Sequence, residues 1–141
     1  MAKIKKTWKK YSTEDDFKSE EQLSKACFNW FDKTFGQEFR GLLHLNFNNP
    51  KDKRQGNTLK GQGLRAGHPD MTLEIPLFKK RLACLHIELK LDIGVVSAAQ
   101  VKQMAMLTKF RNKCVIICSL KHFQEVVLHW IKLYRQEGIE A

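Results

Sequence analysis

The stretch Gly67-His68-Pro69-Asp70-Met71-Thr72-Leu73-Glu74-Ile75, followed by the basic run Lys79-Lys80-Arg81 and then by Leu85-His86-Ile87-Glu88-Leu89-Lys90, decides how this chain reads. In its first arm Met71, Leu73 and Ile75 alternate with Asp70, Thr72 and Glu74; in its second, Leu85, Ile87 and Leu89 alternate with His86, Glu88 and Lys90. A period of two with one apolar and one polar face predicts two strands, and the basic run between them predicts a solvated turn. If the turn centres near Lys79, cross-strand partners have residue numbers summing to 158, which pairs Thr72 with His86 and Asp70 with Glu88. Directly opposed residues share a face with Cβ atoms ~5 Å apart. Two carboxylates are brought together.

Paired carboxylates raise one another's pKa, a cost that a divalent cation removes. Hard oxygen ligands at this spacing suit Mg²⁺ or Mn²⁺, and the Leu89 carbonyl lies between the side chains of Glu88 and Lys90 as a further oxygen. Lys90 sits two residues after Glu88 on the same face, so its ammonium reaches the volume where a water would be oriented. The bland alternative is an exposed strand face carrying a Glu–Lys ladder.

Gly67-His68-Pro69-Asp70, Ile87-Glu88-Leu89-Lys90 and Val96-Ser97-Ala98-Ala99-Gln100 together resemble the successive motifs of the PD-(D/E)XK nuclease superfamily. The branch they look most like is VRR-NUC, the virus-type replication-repair nucleases, with G-x-P-D, then I-E-x-K, then S-x-x-Q opening a helix. The likeness runs from about Glu20 to Ser119. It implies a restriction-endonuclease-like α/β core with a mixed central sheet flanked by helices. It also implies a Mg²⁺- or Mn²⁺-dependent DNA endonuclease, structure-selective in the manner of Holliday-junction resolvases, working as a homodimer on branched or four-way DNA in repair or recombination, in a phage or a cell. Asp70, Glu88, Lys90, Glu20 and Gln100 are then the catalytic set, and Asp70, Glu88, Leu89 and Glu20 the metal ligands.

Composition is compatible with this. At 141 residues the chain is one domain by length, which buries about two-thirds of its unfolded surface. A formal charge of +10 implies a polyanionic partner, nucleic acid before any other. No apolar run is long enough for a spanning helix, and the basic start lacks the apolar segment of a secretory signal, so a cytoplasmic protein is expected, in a bacterium or a virus-infected host. The four cysteines, Cys27, Cys84, Cys114 and Cys118, lack zinc spacing and read as reduced, buried small hydrophobes.

Along the chain, residues 1–12 form a basic tail with five lysines, either solvated or touching DNA phosphates, and residues 13–141 form the single nuclease-like domain. A helix is expected from Ser12 to Phe35, capped by Ser12 or Thr13 and led by Glu14, Asp15 and Asp16. Its stripe is Leu23, Cys27, Trp30, Phe31 and Thr34; Glu20 falls near the centre of that stripe and Glu21 more than about 90° away. An inward carboxylate needs a partner or a metal, and a first-helix Glu completes the acidic cluster in the resembling family. Gly41 to Phe47 reads as a strand, with His44 structural or at the surface and outside the catalytic set.

Asn48 to Gly67 reads as a glycine-rich loop, with a short helix over Asn57 to Lys60 implied by the family. Its bases Lys51, Lys53, Arg54, Lys60 and Arg65 are expected to hold the substrate backbone. Ser97 and Gln100 predict a capping box opening a helix to about Phe110; in the family a glutamine there also faces the site. A strand over Cys114 to Ser119 and a core helix over Lys121 to Gln136 complete the order. Two alternatives remain: a non-catalytic or weakly catalytic DNA-binding module, disfavoured by intact Asp70, Glu88 and Lys90, and a small restriction-type endonuclease, disfavoured by the short chain.

Overall fold

The structure, a computed structural model, describes residues 17–46, 53–63, 65–91 and 95–138. The basic tail, the expected caps Ser12 and Thr13 and the loop base Lys51 lie outside the described residues. Its elements are α1 (Glu20–Phe39), β1 (Leu43–Leu45), α2 (Lys53–Gly61), β2 (Met71–Leu73), β3 (Leu85–Leu89), α3 (Ala98–Lys109), β4 (Lys113–Ile117) and α4 (Leu120–Glu137). The strands form one mixed sheet in the order β1-β2-β3-β4, antiparallel except for the parallel pair β3 and β4, which α3 connects. This is the mixed, helix-flanked α/β sheet expected.

Alternation sorts the sheet into two unlike faces. Met71, Leu73, Leu85, Ile87 and Leu89 are all buried and join Leu23, Cys27, Phe31 and Phe35 of α1 and Phe123, Val127, Trp130 and Ile131 of α4 in one core. The opposite face carries Thr72, His86 and Glu88, also buried, beneath the loop at His68 and the inner side of α3. A buried polar face must satisfy its own hydrogen bonds. That requirement shapes the site.

The hairpin register is the one read from the numbers: Met71 pairs with Ile87, Thr72 with His86 and Leu73 with Leu85. It does not persist to the tip, where the bridge joins Leu77 to Leu82, a sum of 159. One extra residue on the first arm makes the difference, as at a bulge. Glu74 N–H turns to Leu42 O (2.8 Å), Ile75 O accepts from the buried Trp130 indole (2.8 Å), and Pro76 has no N–H to pair. Regular pairing in β2 therefore stops at Leu73 rather than Ile75.

Other boundaries also differ. α1 begins at Glu20, where Ser19 accepts from Gln22 N, so the expected helix across residues 17–19 is not formed; it ends at Phe39, a turn beyond Phe35. Thr34 of the expected stripe is exposed, and Phe35 and Phe39 take the inward positions. α2 spans nine residues where only Asn57 to Lys60 was expected, buried at Gly56 and exposed along its bases. β4 starts at Lys113 and stops at Ile117, because Ser119 is consumed as the α4 cap, accepting from His122 N. Cys27 and Cys118 are buried, whereas Cys84 and Cys114, expected to be buried, are only half-buried.

Candidate active site

At the C-terminal end of β3 a cleft of about 210 Å³ opens between the first turns of α1 and α3, lined by Glu20, Gly67, Asp70, Glu88, Leu89, Lys90, Ser97 and Gln100. Two helix N-termini on one cleft give it partial positive charge from unpaired backbone N–H groups. Every residue expected to be catalytic or metal-ligating lines it.

Glu88 is at the bottom, 3 % exposed. Its Oε1 accepts from Gln100 Nε2 at 2.8 Å and lies 4.0 Å from Lys90 Nζ, whose side chain is 16 % exposed. Its Oε2 is buried with no hydrogen-bond partner. Burial first, and the facing Asp70 carboxylate second, push the Glu88 carboxyl up to about 8, against the pull of Lys90. Two facing carboxylates can hydrogen-bond only by sharing a proton, so an ionised Glu88 leaves Oε2 without a donor. The exposed Glu–Lys ladder is excluded by this burial.

Asp70 lies one step beyond the β2 ladder. Its Oδ2 accepts from Leu89 N at 2.8 Å, so its side chain takes the place of a strand partner at the end of β3. Its backbone is held from the other side: Asn46 N donates to Asp70 O (2.7 Å), and Asn46 Nδ2 donates to Pro69 O (3.1 Å) and Thr72 Oγ1 (2.9 Å). With that oxygen already accepting, the Thr72 hydroxyl donates to His86 Nδ1 (2.9 Å), and His86 Nε2 donates to Asn112 Oδ1 (3.2 Å). Asn112 Nδ2 in turn donates to Leu107 O (3.1 Å). The chain of donors is complete only with neutral His86, and burial lowers the pKa of that ring. A relay from the end of α3 thus crosses three strands to fix the backbone on either side of the Pro69–Asp70 bond.

Gln100 does two jobs. Ser97 Oγ accepts from Gln100 N (3.1 Å) and Gln100 Oε1 accepts from Ser97 N (2.9 Å), the capping box read from the sequence, which turns the remaining amide donor toward Glu88. Gly67 makes that approach possible. Its φ is +78°, and a Cβ there would lie 2.4 Å from Ala99 O and 2.7 Å from Gln100 N. The loop packs directly on the α3 backbone, and only glycine fits.

Glu20 is in the first turn of α1, exposed, and on the wall of the cleft rather than at its base. Glu21 is farther out and pairs with Lys25 at 3.0 Å. Among the described residues no three His, Cys, Asp or Glu side chains are gathered closely enough to enclose an ion, so the acidic pair is Asp70 and Glu88, with Glu20 beside it. Lys53, Arg54, Lys60 and Arg65 are exposed and outside the cleft lining; Arg65 is nearest to it in sequence, two residues before Gly67. Asn46 was missed by sequence reading, since a lone Asn at a strand end looks like a turn residue. The summed-number register did mark Thr72 and His86 as a pair, although not their role.

No family model matches the chain, and no curated protein does. Among solved structures, one described as a VRR_NUC domain protein is similar, with a TM-score of 0.64 and 25 % identity over 82 % of this chain and 89 % of that one. This likeness supports the VRR-NUC domain family for the chain. Among the described residues no helix is long and apolar enough to cross a membrane.

Proposed function

We propose that the chain is a Mg²⁺- or Mn²⁺-dependent endonuclease that hydrolyses phosphodiester bonds in DNA. The observation that carries the reading is the buried Glu88 carboxylate, with Oε2 unpartnered, facing Asp70 in a cleft that also holds a lysine amine. Ionising this buried carboxyl without a partner is unfavourable, so it holds its proton; a hard divalent cation is the partner whose chemistry fits two carboxylates and a backbone carbonyl. Asp70, Glu88 and the Leu89 carbonyl would hold it, with Glu20 assisting through water or a second ion. Such a cation supplies electrophilic stabilisation of phosphate oxygens and acidifies water.

The protein's own groups do the remaining work. Leu89 N–H orients Asp70, and the Gln100 amide orients Glu88 by occupying Oε1. Lys90 orients the attacking water and offsets negative charge developing on the phosphate. Lys51, Lys53, Arg54, Lys60 and Arg65 hold the strand backbone, and the N-terminal turns of α1 and α3 favour a phosphate in the cleft. A preference for branched DNA and a homodimeric assembly rest on the likeness to stand-alone VRR-NUC proteins.

The test is a panel of four-way junction, flap, single-stranded and duplex DNA incubated with the pure protein in Mn²⁺ and in EDTA. Cutting in Mn²⁺ alone, strongest on the junction, is expected; equal cutting of every substrate removes the junction preference. Asp70→Asn should abolish cutting while DNA binding is kept or tightened, since a carboxylate repelling phosphate is gone. Normal cutting by Asp70→Asn, or binding without cutting by the wild type, overturns the catalytic reading.

A further inference from the structure

The far end of the sheet gathers a second basic surface that the cleft does not use. The hairpin tip Phe78-Lys79-Lys80-Arg81 and the end of α3 with its following turn, Lys109-Phe110-Arg111, are distant in sequence, and the fold joins them where Ala83 N donates to Arg111 O at 2.7 Å. All seven side chains are exposed, with Phe78 at 58 % and Phe110 at 66 %, and none of the five cations makes an ion pair among the described residues. The register puts this end opposite the cleft: Lys113 pairs with Leu85 at the start of β3, about 10 Å of strand before Glu88.

Both loops have built shapes. Arg81 (φ 54°) and Arg111 (φ 67°) are the two described non-glycine residues with positive φ, a conformation that costs about 1 kcal/mol or more unless the surroundings impose it. They are imposed here by turn bonds from Arg81 N to Phe78 O (3.0 Å) and from Arg111 N to Thr108 O (3.3 Å). At the tip, both Glu137 carboxylate oxygens are taken by the backbone N–H groups of Phe78 (2.8 Å) and Lys79 (3.2 Å). That carboxylate fixes the loop.

We infer that the joined tip and loop form a second nucleic-acid site, which binds an unpaired strand by stacking bases on Phe78 and Phe110 while the flanking Lys and Arg side chains hold its phosphates. Exposed phenyl rings flanked by cations suit single strands, because a paired duplex hides its base faces, whereas unpaired bases of any sequence can stack. The partner's class rests on the nuclease reading, but the surface needs no cutting to act. It would hold an arm of a branched substrate remote from the cleft.

The experiment is fluorescence anisotropy of labelled oligothymidylate with the full chain in EDTA, over a range of salt. Phe78→Ala with Phe110→Ala should weaken binding about 10-fold or more at unchanged melting temperature, from the loss of base stacking. Tryptophan at both positions should restore it, and binding of a blunt duplex should change less than about 2-fold. Lys79→Glu with Lys109→Glu should flatten the salt dependence by about 1 to 2 in slope. Unchanged oligothymidylate binding in the double alanine variant, equal weakening on blunt duplex, or Phe-dependent preference for phosphatidylserine vesicles over the oligonucleotide overturns the inference. If the wild type fails to cut yet binds through Phe78 and Phe110, the nuclease reading falls and this surface stands.

Discussion

Glu88 is where burial, charge and chemistry conflict most. Its folded-state carboxyl is raised from 4.5 to about 8, so the folded protein keeps a proton that the unfolded chain has released. The stability this lends is complete below pH about 4.5 and is lost as pH rises through about 8. His68 and His86 act with the opposite sign: burial holds both below their ordinary 6.5, so they penalise the fold as pH falls below that value. Glu88 is therefore read most cleanly above pH 7. In EDTA the melting temperature should fall between pH 7 and 9, and Glu88→Gln should remove most of that fall while abolishing cutting; a pH series of thermal melts measures the first. Asn46→Ala should remove the donors to Pro69 O and Thr72 Oγ1, with an expected loss of about 1–2 kcal/mol in a urea titration and a drop in kcat larger than the change in KM. Of these residues Asp70 and Glu88 were legible from alternation and number sums alone. Asn46 was not, because its side-chain partners, the Pro69 carbonyl and the Thr72 hydroxyl, come within reach only after β1 pairs with β2.

Elements were legible where local chemistry and long-range packing agree. The capping box marked the start of α3 correctly, since Ser97 and Gln100 satisfy each other within one turn. α1 starts at Glu20, later than residues 17–19 of the expected helix, because Ser19 caps it by accepting from Gln22 N. α2 was mostly read as loop because glycine and lysine composition hides a nine-residue helix. The contact between the Gly67 loop and α3 is the element-scale device that positions the site. Gly67→Ala should destabilise by at least about 2 kcal/mol, from strain at positive φ and overlap with Ala99 O. Gln100→Ala should cost about 1–2 kcal/mol, from the lost capping-box acceptor for Ser97 N and the lost donor to buried Glu88, while cutting falls about 10- to 100-fold as Glu88 loses its orienting donor. A Gln100→Ala variant with full activity would show that capping is the whole of its role.

Over the whole molecule, the sheet divides labour between an apolar face that closes the core and a polar face whose bonds converge on one end. Alternation in two strands foretold both faces; the strand order and the meeting of the hairpin tip with the α3–β4 loop required the tertiary fold. Because ionising the buried Glu88 beside Asp70 is unfavourable, uptake of the proposed cation at this pair would be linked to global stability. A ligand that binds only the folded state at about 100 times its Kd adds about 2.7 kcal/mol, which for a domain of this size is a rise of several degrees in melting temperature. Mn²⁺ should therefore raise the wild-type melting temperature relative to EDTA, and the rise should grow with pH toward 8, since the cation and the proton compete for Glu88. Asp70→Asn and Glu88→Gln should each lose most of the rise, whereas Lys90→Ala, which removes an amine and no ligand, should keep it while losing cutting. Ca²⁺ in the same melts separates general charge neutralisation from a fit to the smaller ions: an equal rise with Ca²⁺ and with both carboxylate variants would mean that the cation acts elsewhere on the surface.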